Sequence, residues 1–358
     1  MEHTYEVSID GHVLTLVALD GQEINPIVVD SVMVHPGERV DFEVTFDQVP
    51  DRYWMRSRTI REHVGFDEEA DGIIKGTKAI IAYNTATSQG DPATSRKVCS
   101  ESDVCRVFGC PFPAYPAGDG RQCIHLNDAT STRSQKYLNR KFGIQDDYEN
   151  VDERFLNFAF VIGSSVKARR LITPRAPLYQ DDFSNYTVEC TDSLCGYGCK
   201  CTHIQELPHK TTVQIVFLSY EPFMTVGAKY LAHHVPHFHG HNFAVMAVGY
   251  PPYNETTGQW LGMNPTITCD PETSWRCENP FWTGALPELN TVNPPIKDTV
   301  VIPARGYVVV RFKTNNPGYW LLRNQRELPY EEGMAMIFNE AEQKHPKLPK
   351  DFPKCYDY

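Results

Sequence analysis

No apolar stretch in the 358 residues approaches the roughly 20 residues that a membrane-spanning helix needs, so no helical membrane span is expected. Runs of lysine or arginine are also missing, and 34 basic against 45 acidic residues leave a formal net charge of −11. Nucleic acid and anionic membrane surfaces are therefore set aside as partners. A sustained 3.6-residue apolar period is lacking, which argues against a helical architecture. No secretory leader is visible either: Met1-Glu2-His3-Thr4 leads straight into an alternating, strand-like pattern.

Cysteine, by contrast, is plentiful. The chain holds 11 of them, at 99, 105, 110, 123, 190, 195, 199, 201, 269, 277 and 355. That density points to disulfides and an oxidising, extracellular compartment. Sequons at Asn185-Tyr186-Thr187 and Asn254-Glu255-Thr256 make Asn185 and Asn254 candidate glycosylation sites and point the same way. Secretion without a leader implies a chain that starts inside a longer precursor or has lost its first segment. The odd count leaves one thiol over, for which Cys355 is the candidate. Cys190, Cys195, Cys199 and Cys201 beside His203 could be a zinc site, but the spacing contains no C-x2-C pair, and disulfides are the expectation.

Short strands dominate the pattern. Tyr5, Val7 and Ile9 alternate with polar residues, Asp10-Gly11 reads as a hairpin turn, and Val13 to Val17 return. Asp20-Gly21 turns again, and Val40, Phe42, Val44 and Phe46 keep period two. Ser88 to Glu149, rich in Ser, Asp, Pro and Cys, reads as a connector. A second group of strands begins near Phe155 and includes Thr212 to Leu218, Phe243 to Val248, Thr299 to Ile302, Tyr307 to Phe312 and Met334 to Phe338. The reading is all-β, two β-sandwich domains, 1-150 with its Cys-rich connector and 151-358 with a C-terminal tail.

Five of the 13 histidines lie between His233 and His241, four of them within His234-Val235-Pro236-His237-Phe238-His239-Gly240-His241. Neutral imidazole is the commonest protein ligand for copper and zinc. Were His237, His239 and His241 on one strand, alternate side chains would share a face, and all three could point one way.

The octet resembles the histidine motif of the multicopper oxidases, HPxHLHGH, with Pro236 one place later than usual. Ile9-Asp10-Gly11-His12, Val29-Asp30-Ser31 and Gly37-Glu38-Arg39-Val40-Asp41 resemble the second domain of an invertebrate laccase. Ala176-Pro177-Leu178 followed by Asp181-Asp182, Lys297-Asp298-Thr299-Val300 and Asn316-Pro317-Gly318-Tyr319-Trp320 resemble its third. The resemblance implies cupredoxin-like (plastocyanin-like) Greek-key domains. It also implies that His234 corresponds to a type 1 copper ligand, that His237 and His239 correspond to trinuclear-cluster ligands, and that Met334 sits at the axial position. His241 corresponds to no ligand in the family, and Asp298 to a residue that serves the fold.

The family's last motif is HCHxxxH. In the same register this chain has Arg323, Asn324 and Gln325, then Pro329, so all four ligands are replaced. A blue copper site needs a cysteine thiolate and two imidazoles, and no His-x-His occurs outside residues 237 to 241. The expectation is a catalytically degenerate, secreted protein with a structural or assembly role, with no catalytic residue assigned and no dioxygen reduction by this polypeptide alone. Copper at His234, His237, His239 and Met334 is possible, but the lost ligands favour none. Two alternatives stand beside it: an oxidase of phenols or metal ions completed by a separate first cupredoxin domain as protein partner, and a non-redox copper- or zinc-binding module.

Overall fold

The computed structural model describes residues 3–60, 76–160, 163–179, 187–191, 199–221, 233–258, 260–274, 276–284 and 286–352. Cys195, Cys355, Asn185, Asp181 and Asp182 lie outside them. Two β-sandwiches hold most of the regular structure, packed around one continuous apolar cluster that runs from Leu14 and Leu16 to Phe312 and Phe338.

In the first sandwich, Thr4–Ile9 lies between Ser31–Val34 and Arg52–Ile60 in a six-stranded sheet, extended by Gly76–Ala82 on one side and by Cys105–Phe108 and Arg121–Ile124 on the other. Leu14–Leu19 is the centre of a facing three-stranded sheet, between Gln22–Val29 and Val40–Glu43. Period-two burial selects the inner face, so Leu14 and Leu16 are fully enclosed while Thr15 is only partly covered. Asp20 and Gly21, at φ 49° and 73°, close a two-residue hairpin. Asp10-Gly11 closes a tight turn through a single bridge between Ile9 and His12, but no ladder continues from it. Thr4–Ile9 and Leu14–Leu19 belong to different sheets, because Arg52–Ile60 takes the ladder position beside Thr4–Ile9. The turn carries the chain from one sheet to the other, an outcome that alternation alone does not distinguish from a hairpin.

The second sandwich sets a six-stranded sheet (Ser165–Val166, Asp152–Ala159, Thr212–Leu218, Tyr307–Lys313, Phe243–Gly249, Ile296–Lys297) against a four-stranded one (Ile204–Leu207, Ala335–Glu340, Gly318–Asn324, Pro236–Phe238). Thr212–Leu218 and Ala335–Glu340 are buried along their whole length, as expected of strands covered on both faces. Thr299 and Ile302, read as a strand, make only isolated bridges to His237 and His234.

The segment read as a connector is built into both halves. Cys105–Phe108 and Arg121–Ile124 pair in parallel and extend the first sheet, stapled by Cys99–Cys105 and Cys110–Cys123. Strands of four residues are too short to reveal a period. The helix Gln135–Phe142 follows, capped by Ser134 at its start and by left-handed Gly143 at its end. Its buried residues, Leu138 and Phe142, are one helical repeat apart, too few to stand out in the sequence. Arg311 of the second sandwich, itself buried, donates to the carbonyls of Gly143 and Asp146 just beyond that helix.

Charged groups seal the structure at two places. On the outer face of the first sheet, buried Glu6 meets Arg58 and Arg96 while buried Asp10 meets Arg56 and Thr94, which clamps the chain at Thr94–Arg96 onto the strands. Burial pushes the Glu6 pKa up, but Arg96 and Arg58 outweigh it and hold the carboxyl below its usual range. Between the halves, the Lys297 ammonium lies 3.2 Å from both Asp20 and Glu38. Burial would lower its pKa, yet the two carboxylates raise it above that of an ordinary amine. Beside it, Arg39 grips Asp298 through two hydrogen bonds.

Replacing Lys297→Met leaves two carboxylates enclosed without a counter-charge and is expected to cost about 3–5 kcal/mol in urea unfolding. The contribution of Glu6 is complete above the unfolded carboxyl pKa of about 4.3 and fades as pH falls through its lower folded value. Glu6→Gln is therefore expected to lose about 2 kcal/mol at neutral pH and little further on acidification, whereas the parent loses stability steadily.

Candidate functional site

The candidate ligands sit where two strands of the four-stranded sheet run side by side. Pro236–Phe238 pairs with Gly318–Asn324 so that Pro236 faces Asn324 and His237 faces Arg323. Asn324 is the last residue of its strand, and alternation turns its amide inward while Arg323 and Gln325 remain partly exposed on either side.

Inside, Asn324 is fully buried between His234 and Met334. Its Nδ2 lies 3.0 Å from His234 Nδ1 and 3.0 Å from Met334 Sδ. Its Oδ1 accepts the backbone N–H groups of Val235 at 3.2 Å and Arg326 at 3.1 Å. Both donors and both acceptor positions of the amide are thus used. Since the amide donates to Nδ1, the His234 proton resides on Nε2, which faces Glu221 Oε1 at 3.9 Å, too long for a hydrogen bond. Burial lowers the His234 pKa, with Glu221 opposing, so the ring is neutral at physiological pH.

Pro329 stands in the first turn of the short helix Glu327–Glu331, where a proline needs no amide partner. Its carbonyl accepts the Met334 N–H at 2.9 Å. Arg323 lays its guanidinium 4.4 Å from the centre of the Tyr330 ring and reaches toward Gln325 Oε1 at 3.4 Å. The Gln325 side chain in turn fills the space above Gly37 of the first sandwich, which has no Cβ to obstruct it.

His237 and His239 lie apart from this buried group. His237 Nδ1 is 2.9 Å from Thr299 Oγ1, which donates to Asp298 Oδ1 at 2.8 Å. Partial burial would raise the Asp298 pKa, but the hydrogen bonds from His237, Arg39 and Thr299 hold it far below the carboxylate range. His239 is exposed, with its ring centre 5.8 Å from that of His237. His241 does not share their face. The chain turns at His239-Gly240, with Gly240 at φ 79° and the Trp320 indole where a Cβ would be, and this sends His241 into the core. There its Nε2 meets Glu340 at 2.6 Å and its ring stacks on Phe238.

Spacing gave no sign of Glu221 beside His234, or of Thr299 as the group that orients His237. Asp298 stood out only through the family motif. Among the described residues no group of three or more His, Cys, Asp or Glu side chains gathers in a way that could hold a metal ion. The disulfides expected of the cysteine cluster are present: Cys190 pairs with Cys201, and Cys199 is also disulfide-bonded. Asn254 folds its Oδ1 back onto the Thr256 and Thr257 amides in a partly exposed turn.

Multicopper oxidase family models match residues 1–86 and 173–344, together more than half of the chain. The chain belongs to the multicopper oxidase family. Among its relatives, Laccase-8 of Oryza sativa subsp. japonica is 24% identical over 97% of this chain and 57% of its own length. A laccase of Trametes maxima is 25% identical over 93% of this chain and 52% of its own. The chain thus spans a little over half the length of these relatives. The crystal structure of the Botrytis aclada laccase superposes with a TM-score of 0.58 at 20% identity, covering 96% of this chain and 50% of that one. Fet3p, described as a multicopper oxidase that functions in iron import, gives 0.58 at 16% identity, covering 95% and 53%. At these identities the superpositions establish the cupredoxin-like fold and nothing finer.

The donors beside His234 do not suit a blue copper ion. Asn324 offers a neutral amide in place of a soft thiolate, and its nitrogen spans the gap between imidazole and thioether. Replacing Asn324→Leu strands the amides of Val235 and Arg326 and the His234 nitrogen, and is expected to cost about 3 kcal/mol, read from the urea midpoint at unchanged m-value.

Proposed function

We propose that the protein is a secreted, laccase-like member of the multicopper oxidase family that has lost oxidase turnover and acts through its surfaces as a structural or assembly component. The observation that carries this reading is the saturated Asn324 amide bridging His234 and Met334. An electron-accepting copper would have to displace a group whose removal leaves buried amides unpaired, and would gain no thiolate in exchange. Arg323, a permanent cation across the strand from His237, adds repulsion against a second metal ion there. Four described disulfides support an extracellular location. Resemblance to invertebrate laccases rests on the sequence motifs, since the relatives named above are plant and fungal.

A second reading has one observation in its favour. His237 and His239 approach each other with His239 exposed, so the pair could hold a single Cu(II) or Zn(II) ion without redox turnover. An oxidase completed by a separate first domain would require the partner to bring a cysteine and three histidines into a region already filled by Arg323, Asn324, Gln325 and Pro329.

Copper loading followed by metal analysis, a visible absorption spectrum and dioxygen uptake with a catechol separates the three. The proposal expects no intense thiolate-to-copper band and no uptake; either signal refutes it. One equivalent of redox-silent copper without the intense band, lost in His239→Ala, would favour the second reading.

A further inference from the structure

A cleft of about 680 Å³ lies away from the histidine octet, on the flank of the second sandwich. That volume is within the range of small-molecule sites. Its walls are the turn at Lys167–Arg169, the segment Thr187–Cys190, the residues Thr202–Gln205 and Glu278–Asn279. The Cys190–Cys201 disulfide ties two of these walls together.

Two groups in it are placed to receive a ligand. His203 is 5% exposed, and its Nδ1 is enclosed without a hydrogen-bond partner. The Gln205 amide nitrogen lies 3.3 Å from the other ring nitrogen and donates to it, which leaves Nδ1 carrying the proton. A buried N–H with nothing to donate to is costly, and native structures seldom keep one without a reason. Lys167 is the second. Among the described residues no carboxylate pairs with its ammonium, whereas neighbouring Arg169 is held at 2.6 Å by Glu278.

The turn that carries Lys167 is itself unusual. Val166 and Arg169 exchange backbone hydrogen bonds at 2.9 and 3.0 Å around Lys167 and Ala168, which adopt φ 51° and 56°. Both central positions of such a hairpin normally hold Asn, Asp or Gly. A lysine and an alanine there carry strain, and strain of this kind collects at ligand sites. The Lys167 amide is anchored to the carbonyl of buried Asn157 at 2.8 Å, which fixes the turn against the sheet.

We propose that this cleft binds a small molecule through an oxyanion, with Lys167 and Arg169 supplying the charge and His203 Nδ1–H a directed hydrogen bond. Carboxylate, sulfate and phosphate share the required chemistry, namely a compact negative group that accepts several hydrogen bonds. Glu278 is already engaged by Arg169 and Arg276, and Glu189 lies exposed at the rim. Burial and the charges of Arg169 and Lys167 push the His203 pKa down to about 3, so the ring acts as a neutral donor. Burial, and then Arg169, also lower the Lys167 pKa, a cost that a bound anion relieves. This site is independent of the copper question.

The test is calorimetric titration of the full chain with sulfate, inorganic phosphate and glucuronate, each against sodium chloride of equal ionic strength, with galactose as a neutral control. At least one oxyanion is expected to bind saturably and to raise the melting temperature, and galactose to do neither. Lys167→Asn, which keeps a residue tolerant of the left-handed conformation, and His203→Phe should each weaken that binding roughly tenfold or more while the unliganded protein stays folded. Absence of binding beyond the chloride control would overturn the proposal, as would binding unchanged in Lys167→Asn.

Discussion

A single carboxylate sets the relation between the two sandwiches. Asp20 occupies the hairpin turn of the first at φ 49°. Its Oδ2 receives the backbone amides of Asp298 and Thr299, each at 3.2 Å, together with the Lys297 ammonium, while Oδ1 receives the Arg39 amide. Three consecutive residues of the second half are thereby fixed to one side chain of the first. Thr299 in turn orients His237, whose strand partner is Arg323, next to Asn324. The arrangement at the histidines therefore depends on a group that belongs to neither strand bearing them. Removing one member of such a buried set leaves its partners uncompensated, which is why the contact tolerates little change.

Within that frame, Asn324 is a structural joint between His234, Met334 and the backbone. A thiolate at the same place would leave the amides of Val235 and Arg326 without their present acceptor. An asparagine satisfies both and still bridges His234 to Met334. The cupredoxin-like fold and the chemistry of this pocket are separate matters, in keeping with the rule that function resides in sites carried by a fold.

Much of the fold was legible because period-two alternation of Val, Leu and Phe directly reports the inner face of a sandwich. What alternation cannot report is which strand pairs with which: the Asp10-Gly11 turn is present, but the strands on either side of it enter different sheets. The connector escaped notice because its pieces, four-residue strands and a two-turn helix, are shorter than the window in which a pattern emerges. At the site, the family motif located His234, Asn324 and Met334, and the structure places these three within hydrogen-bonding contact of one another. His241 could not be placed in advance, since its direction is decided by Gly240 and the bulk of Trp320 eighty residues away. Glu221 and Thr299 were invisible for the same reason: their importance comes from tertiary proximity, which has no signature in local spacing.

The stapled connector has a further consequence. Cys110 and Cys123 bracket the Pro-rich loop that leads from one parallel strand to the next. A protease that nicks the backbone anywhere between these two cysteines divides the polypeptide but not the molecule, because sulfur still joins the fragments and each remains seated in its sheet. Such a clipped form would migrate as one band until a reductant is added, and under oxidising conditions it would behave as the uncut molecule.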